Sequence, residues 1–264
     1  MEVTKHTPGM FSWADLGSPD APASRRFYSE LLQVDAMDLA DGPDAVYTTL
    51  NKNGRLCFAI YQMPEEMSQA LGGRAFWQSY FTVENADESA ERIKELGGTL
   101  AQEPFDVFDA GRVVVAQDPT GAVFALWQPK QEIGAQVFAE PGALSWNELY
   151  TNAPSAASQF YGGLFGWQVT TGPMADGTGE YTAFLLDGQP AAGMMEIQKE
   201  WGEFPPYWSI YFAVKDLDAA RERARAMGAR EITPELTVPE VGRFIYIEDP
   251  QGAHLTIIEL EGFQ

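Results

Sequence analysis

The stretch FSWADL at residues 11–16 returns as LSWNEL at residues 144–149. The two tryptophans in these stretches, Trp13 and Trp146, are 146 − 13 = 133 residues apart. A period of about 130 residues is the size of a whole domain, whereas solenoid repeats are several times shorter. The repeated stretch therefore predicts a chain built by tandem duplication of one domain.

Further matches extend the similarity along both halves of the chain. They are the pairs Phe27-Tyr28 and Phe160-Tyr161, the strands FWQSYFTV from Phe76 and YWSIYFAV from Tyr207, and the segments GRVVVAQDPTGA from Gly111 and GRFIYIEDPQGA from Gly242. Because the matches are spread over this length, both halves are predicted to share one fold.

Each half consists of two units with the order strand, helix, strands. In the first unit, MFSWADL alternates as a strand does, and Asp20 is placed to cap the helix PASRRFYSELL. In the second unit, Gly97 ends the helix ADESAERIKELGG, and two strands flank the turn DPTG. The sequence thus predicts an α+β fold of four βαβββ units. The expected domains are residues 1–130 (units 1–62 and 63–130) and 142–264 (units 142–199 and 200–264), joined by a linker at 131–141.

Composition narrows the classes of partner. The 264 residues carry a net charge of −21, with two histidines and one cysteine. Such an acidic chain repels phosphate backbones and anionic lipids, so no nucleic-acid or membrane partner is expected. Cys57 lies in the apolar run LCFAIY and is predicted to be buried and inert. The chain has no apolar run near the ~20 residues of a membrane helix and no signal-like core, so a cytoplasmic protein is expected.

The unit order, the FY…LFGW ending at Trp167 and the DPxG turn before the last strand together resemble one family. It is the glyoxalase / bleomycin-resistance / extradiol-dioxygenase family, also called the vicinal oxygen chelate superfamily. The resemblance covers essentially the whole chain and looks closest to tandem actinobacterial members. It implies two half-barrel domains in tandem, each enclosing a cavity. It leaves open whether a unit pairs within its own half or with a unit of the other half.

The resemblance also implies where metal-using relatives place their ligands, at four strand positions in each domain. Aligned from the FY and DPxG motifs, these positions fall on Trp13, Ala59, Gln78 and Ala125, and on Trp146, Met194, Ser209 and Thr256. A divalent metal needs three or four His or carboxylate ligands, and neither set contains one. No metal site and no cofactor are therefore expected, and a metal-dependent glyoxalase or dioxygenase is the less favoured function.

Strand alternation predicts which side chains share a face with each tryptophan. Phe11 and Asp15 should lie beside Trp13, and Leu144 and Glu148 beside Trp146. The candidate ligand-binding residues are Trp13, Asp15, Gln78, Tyr80, Trp127, Trp146, Ser209 and Thr256. An aromatic wall with a few polar groups is typical of a small-molecule pocket. The same side chains also have structural interpretations, such as core packing for the tryptophans.

Two functions are compatible with these residues. The first is metal-free binding of a small hydrophobic or aromatic molecule, such as a metabolite or an antibiotic. The second is a metal-independent lyase, isomerase or cyclase that uses Glu148, Tyr211 or His254 as catalytic acid or base. His254 has no counterpart in the first half, where Val123 stands in its place. Whether the chain is an enzyme stays open. Because a tandem pair replaces a homodimer, a monomer is expected.

Overall fold

The computed structural model of this chain describes residues 2–40, 46–174, 179–202 and 204–262. Strands dominate these residues, and they form two sheets. Each sheet is built within one half of the chain, so the two units of a half pair with each other. The α+β tandem of two half-barrel domains is thereby confirmed. None of the described helices is long and apolar enough to cross a membrane.

The first half contributes eight strands to one sheet. They are β1 (Phe11–Ser18), β2 (Asp35–Ala40), β3 (Val46–Lys52), β4 (Arg55–Gln62), β5 (Phe76–Thr82), β6 (Thr99–Val107), β7 (Gly111–Gln117) and β8 (Val123–Pro129). Their order in the sheet is β2-β3-β4-β1-β5-β8-β7-β6. β1 and β5 pair antiparallel at the centre, β4 runs parallel to β1, and β8 runs parallel to β5.

The second half repeats this plan. Its strands are β9 (Leu144–Thr151), β10 (Gln168–Pro173), β11 (Glu180–Leu186), β12 (Gln189–Glu196), β13 (Tyr207–Ala213), β14 (Arg230–Glu231), β15 (Leu236–Val238), β16 (Gly242–Glu248) and β17 (His254–Leu260). The order is β10-β11-β12-β9-β13-β17-β16-β14, and β15 also pairs with β16.

Five α-helices and one short 3-10 helix connect the strands among the described residues. They are α1 (Ala21–Leu32), α2 (Glu65–Ala70), α3 (Ala86–Glu95), α4 (Pro154–Phe165), α5 (Leu217–Ala226) and the 3-10 helix Lys199–Trp201. The predicted cap of α1 is confirmed, because Asp20 accepts the Ala23 N–H at 2.9 Å. α1 lies against α5, and α3 lies against α4, so each pair joins the two halves.

One hydrophobic core lies between the two sheets and contains side chains from both halves. Phe212 of β13 packs against Phe58 and Trp77 of the first sheet, with ring centroids 5.0 Å apart in both pairs. Phe81 packs against Trp208 at the same distance. The opposite face of each sheet points away from this core and is the candidate location of a functional site. Half-barrel curvature makes these faces concave.

A β-bulge corrects one expectation about these faces. The pairing of β1 with β5 shifts between Phe11 and Trp13, so the two side chains do not share a face. Phe11 packs in the core against Phe81, at a centroid distance of 6.1 Å. Leu144 is likewise fully buried in the core beside a shifted register. Simple alternation cannot predict an inserted residue, which moves the following side chains to the other face.

The FY pairs and the DPxG turns meet across the two halves. The Tyr28 hydroxyl donates to Asp249 Oδ2 at 2.7 Å, and the Tyr161 hydroxyl donates to Asp118 Oδ2 at 2.9 Å. All four side chains are buried. A buried hydroxyl–carboxylate pair is costly to break, because the remaining partner loses both water and its hydrogen bond. The repeated motifs therefore hold the two halves together.

Candidate functional site

Each concave face carries one buried carboxyl group beside a tryptophan. The first concave face is defined by Trp13, Asp15, Tyr61, Tyr80 and Val115. Asp15 lies between Ala59 of β4 and Gln78 of β5 in the sheet.

The second concave face is defined by Trp146, Glu148, Tyr150, Tyr211 and Tyr246. Glu148 lies between Gly193 of β12 and Ser209 of β13. The two carboxyl groups thus occupy equivalent places in the duplicated fold.

On the second concave face, three tyrosine hydroxyls surround Glu148 Oε1. Tyr150 lies 2.7 Å from Oε1, Tyr211 lies 2.8 Å away and Tyr246 lies 3.4 Å away. The Tyr246 hydroxyl is also 2.5 Å from that of Tyr150 and 2.7 Å from that of Tyr211. Four oxygen atoms therefore form a closed ring with short contacts.

Counting protons in this ring indicates the state of Glu148. The four short contacts need four protons, one for each O–H···O bond, and the three tyrosines supply three. The carboxyl proton of Glu148 completes the ring, so the neutral acid fits the geometry. Burial raises the pKa of Glu148, although the hydrogen bonds from Tyr150 and Tyr211 oppose this effect.

A fourth tyrosine reaches the same carboxyl group from β11. The Tyr181 hydroxyl bonds to Glu148, and it accepts the Trp146 indole N–H at 3.3 Å. Gly193 makes this approach possible. A Cβ atom there would overlap the Tyr181 hydroxyl and lie 3.0 Å from Glu148 Oε2. The second concave face thus holds a carboxyl group supplied with donors by the chain itself.

The carboxyl group of the first concave face, Asp15, has fewer hydrogen-bond partners than Glu148 has. Tyr80 donates to Asp15 Oδ2 at 3.0 Å. The other oxygen, Oδ1, is buried and has no hydrogen-bond partner among the described residues. Burial raises the pKa of Asp15 from 3.8 to about 7, and the Tyr80 hydrogen bond opposes this rise.

Aromatic rings surround Asp15. Trp13, Tyr47, Tyr61 and Tyr80 are all half-buried, so part of each ring remains accessible. Tyr47 is hydrogen-bonded to Trp13, and burial and the nearby Asp15 both raise the pKa of Tyr47. Trp127 lies on β8, where its indole N–H donates to the Glu132 carbonyl at 2.9 Å. This face therefore presents accessible aromatic surface around one buried acid.

The structure brings together most residues proposed from the sequence, in two separate groups. Gln78 is buried beside Asp15, but its amide donates to the Ser79 carbonyl instead. Ser209 and Thr256 are buried on β13 and β17, beside Glu148 and Tyr211 respectively. Tyr211 contacts Glu148 directly.

His254 lies apart from Glu148. It begins β17 at the rim of the second face, where its ring is 3.1 Å from Glu248 Oε2 and 6.3 Å from the Tyr207 ring centroid. It is exposed, whereas Glu148 is buried. The structure therefore does not join His254 with Glu148 and Tyr211 in one cluster.

Sequence reasoning missed the other tyrosines around Glu148. Tyr150 could have been found, because it follows Glu148 by two residues and alternation places both on one face. Tyr246 and Tyr181 come from β16 and β11, which reach the carboxyl group only through the sheet order. The alignment at Met194 was also wrong by one residue. Met194 is buried in the core and pairs with Leu149, and Gly193 faces Glu148.

Arg112 and Arg243 have structural partners. Arg112 lies 2.8 Å from Asp87 Oδ1, and Arg243 lies 2.8 Å from Glu235 Oε1. Both pairs are on the surface of the second unit of their halves. Neither guanidinium belongs to the groups of residues that define the concave faces.

The donors on the concave faces do not fit a divalent metal. Each face has one buried carboxyl group among the described residues, and its neighbours on the central strands are aromatic, amide, hydroxyl or apolar side chains. Over the described ranges, no group of three or more His, Cys, Asp or Glu side chains is placed to hold a metal ion. Tyrosine hydroxyls that share protons with a neutral acid are poor substitutes for the His and carboxylate ligands of such sites.

An open cleft of about 650 Å³ lies elsewhere, at the junction of the two halves. Its walls include Phe27 and Glu30 of α1, Met227 and Gln251. This cleft contains no residue of either concave face. Phe27 and Asp249 in its walls are buried, but Asp249 already accepts the Tyr28 hydroxyl and the N–H groups of Gln251 and Ala253. The concave faces therefore remain the candidate site.

Comparison with known proteins agrees with this architecture. At 33% identity over 97% of both chains, the protein is similar to "Putative glyoxylase CFP32" of Mycobacterium tuberculosis. It is 34% identical to "Anthracycline biosynthesis protein DnrV" of Streptomyces peucetius, over 99% of this chain and 97% of that protein.

Among solved structures, the Mn(II)-bound glyoxalase from Novosphingobium aromaticivorans superimposes with a TM-score of 0.66. That alignment covers 96% of this chain and 82% of the glyoxalase, at 13% identity, so it supports the fold alone. The family model of the Glyoxalase/Bleomycin resistance protein/Dioxygenase superfamily matches residues 11–126 and again residues 143–257. The chain therefore belongs to the Glyoxalase/Bleomycin resistance protein/Dioxygenase superfamily.

Proposed function

We propose that this chain binds a small planar aromatic molecule on a concave face of its half-barrel domains. The observation that carries the proposal is the half-buried aromatic surface of Trp13, Tyr47 and Tyr61 around the buried carboxyl group of Asp15. Stacking on such rings contributes affinity, and the acid adds directional recognition.

The names of two relatives support an aromatic ligand. "Anthracycline biosynthesis protein DnrV" and "Anthracycline biosynthesis protein DauV" are 34% and 33% identical to this chain over nearly their whole lengths. Anthracyclines contain planar fused rings with phenol and quinone oxygens. A role in holding or carrying a fused-ring metabolite is consistent with the absence of a fitted metal-ligand set on the described faces.

Isothermal titration calorimetry tests this function directly. The ligands are 2-hydroxyanthraquinone and 2-methoxyanthraquinone, two planar fused-ring probes. We expect saturable binding, weakened about tenfold by Trp13→Leu, a change of about 1.4 kcal/mol. Phe108→Leu is the matched control, because Phe108 is an aromatic residue that is 78% exposed outside the defined faces. No binding of either probe would contradict the proposal.

A metal-independent isomerase, lyase or cyclase is the second candidate. The observation that favours it is Asp15, because burial raises its pKa to about 7, the range of an efficient general acid or base at neutral pH. Glu148 and Tyr211, 2.8 Å apart, could hold or move a proton on the second face. For any substrate found, kcat/KM should change near pH 7, and Asp15→Asn should remove that change while binding persists.

The architecture also supports a proposed monomer. The pairs α1–α5 and α3–α4 and the shared core already cover the surface through which one half contacts the other. Light scattering coupled to size exclusion should therefore give a mass near the 29.1 kDa of one chain. A dimer mass would contradict this part of the proposal.

A further inference from the structure

The two concave faces share a framework, and the sheet register shows which residues are equivalent. Asp15 pairs with Gln78 as Glu148 pairs with Ser209. Tyr80 pairs with Ala125 as Tyr211 pairs with Thr256, and each tyrosine donates to the carboxyl group of its own face. The residues of the two faces can therefore be compared position by position.

Two of the three ring tyrosines of the second face, Tyr150 and Tyr246, have no counterpart on the first. By register, Tyr150 corresponds to Gly17, because Tyr150 pairs with Tyr207 and Gly17 pairs with Phe76. Tyr246 corresponds to Val115, because these residues pair with Thr256 and Ala125 respectively. Two phenol groups are thus absent from the first face.

The missing phenols leave donor positions empty at Asp15. On the second face Tyr150, Tyr211 and Tyr246 all contact Glu148 Oε1, whereas among the described residues the matching oxygen of Asp15, Oδ2, receives one hydrogen bond, from Tyr80. Asp15 is 5% exposed, and within the described chain its Oδ1 has no partner. A buried carboxyl group with so few donors is unfavourable, so Oδ2 favours a molecule that brings a further donor.

The Val115 side of Asp15 lacks the ring that Tyr246 supplies on the second face. The Gly17 side is already filled, since a Cβ at position 17 would lie 2.7 Å from both the Phe76 ring and the Tyr61 hydroxyl. Val115 is half-buried and carries only a short apolar side chain where the second face has a phenol ring. A planar ring entering here would replace the ring of Tyr246.

We propose that the first concave face binds an aromatic molecule through its phenolic hydroxyl, which donates to Asp15 Oδ2 in the place that the Tyr246 phenol occupies on the second face. The second face is closed by the tyrosines of the chain itself. This inference rests on the proposed binding function, and it adds the face, the contact atom and the class of ligand.

The test compares 2-hydroxyanthraquinone, which can donate a hydrogen bond, with 2-methoxyanthraquinone, which cannot. Calorimetry should show the hydroxy compound binding about tenfold more tightly to the full chain. Asp15→Asn should abolish that preference while leaving the methoxy compound unaffected. Glu148→Gln, the matched change on the second face, should leave the preference intact. Val115→Tyr should rebuild the missing phenol and block both compounds.

The outcomes separate this inference from the function on which it rests. If neither compound binds, the proposed function fails. If both bind equally, or if the preference depends on Glu148, binding stands and the assignment to Asp15 is overturned. Because Asp15→Asn could disturb folding, the thermal unfolding of each variant is measured in parallel. Retained binding in a folded Val115→Tyr variant would also overturn the assignment.

Discussion

The Tyr28 hydroxyl lies 2.7 Å from Asp249 Oδ2, although the two residues belong to opposite halves of the chain. The Trp77 indole N–H donates to the same hydroxyl at 3.2 Å. Burial raises the pKa of Asp249, and the bond from Tyr28 opposes this rise. One phenol group therefore links a strand, a helix and a turn from two domains.

Removing that phenol hydroxyl should destabilise the whole chain. Tyr28→Phe leaves Asp249 Oδ2 and the Trp77 indole N–H each without a hydrogen-bond partner, which costs about 1–3 kcal/mol of unfolding free energy. Tyr161→Phe should cost a similar amount, because Tyr161 bonds to Asp118 and Trp208 at 2.9 Å in both cases. Urea unfolding measures both variants.

A control separates this cross-half bond from the general effect of losing a hydroxyl. The Tyr61 hydroxyl contacts only the Met67 sulfur, at 3.9 Å, among the hydrogen bonds of the described chain. Tyr61→Phe should therefore change the unfolding free energy by less than about 0.5 kcal/mol. Equal effects in all three variants would contradict the prediction.

The closed ring predicts that Glu148 is a neutral acid in the folded chain at pH 8. Infrared difference spectra of the native chain minus Glu148→Gln should contain the C=O band of a protonated carboxyl group. Glu196→Gln is the control, because Glu196 is exposed and should give carboxylate bands instead. Carboxylate bands from both variants would show that the ring holds an ionised Glu148.

Position 193 should tolerate nothing larger than glycine. In Gly193→Ala, the new methyl group overlaps the Tyr181 hydroxyl, so Tyr181 must leave Glu148. We expect a loss of about 1–3 kcal/mol in unfolding free energy. Gly172→Ala is the control, since a Cβ there meets no atom within 4 Å. A fully stable Gly193→Ala variant would contradict the packing described for Tyr181.

Asp15 should make stability depend on pH in a defined direction. Its pKa is raised from 3.8 to about 7, so the unfolded chain releases this proton first. Its contribution to stability is therefore complete below pH 4 and declines as pH rises to about 7, by up to about 4 kcal/mol.

Asp15→Asn removes this decline. The unfolding free energy of the variant relative to the native chain should therefore increase between pH 4 and pH 8. Chemical denaturation at several pH values measures the difference, and all other titrating groups cancel between the two proteins. A difference that stays constant over this range would show that Asp15 ionises freely in the folded state.

The fold was predictable because the information for it is local and repeated. Alternating strands, the Asp20 cap and the DPxG turns each predict one element, and the duplication repeats every prediction. The predicted position of Phe11 was wrong, because a bulge adds one residue that no alternation pattern contains.

The site was harder to predict because it depends on sheet order. Trp146, Glu148 and Tyr211 could be proposed from two neighbouring strands. Tyr246 and Tyr181 reach Glu148 from distant parts of the sequence, and their importance follows from oxygen–oxygen distances. The difference between the two faces required knowing that Val115 and Tyr246 share one position in the register.

The crossed tyrosine–aspartate bonds limit how such chains can be recombined. A chimera that joins this first half to a relative's second half must inherit an acceptor opposite Tyr28 and a phenol opposite Asp118. Swapping whole domains to exchange one face for another would therefore also bring together tyrosine and aspartate positions that do not match. Altering ligand preference by substitutions within a face, at positions such as Val115, avoids that conflict.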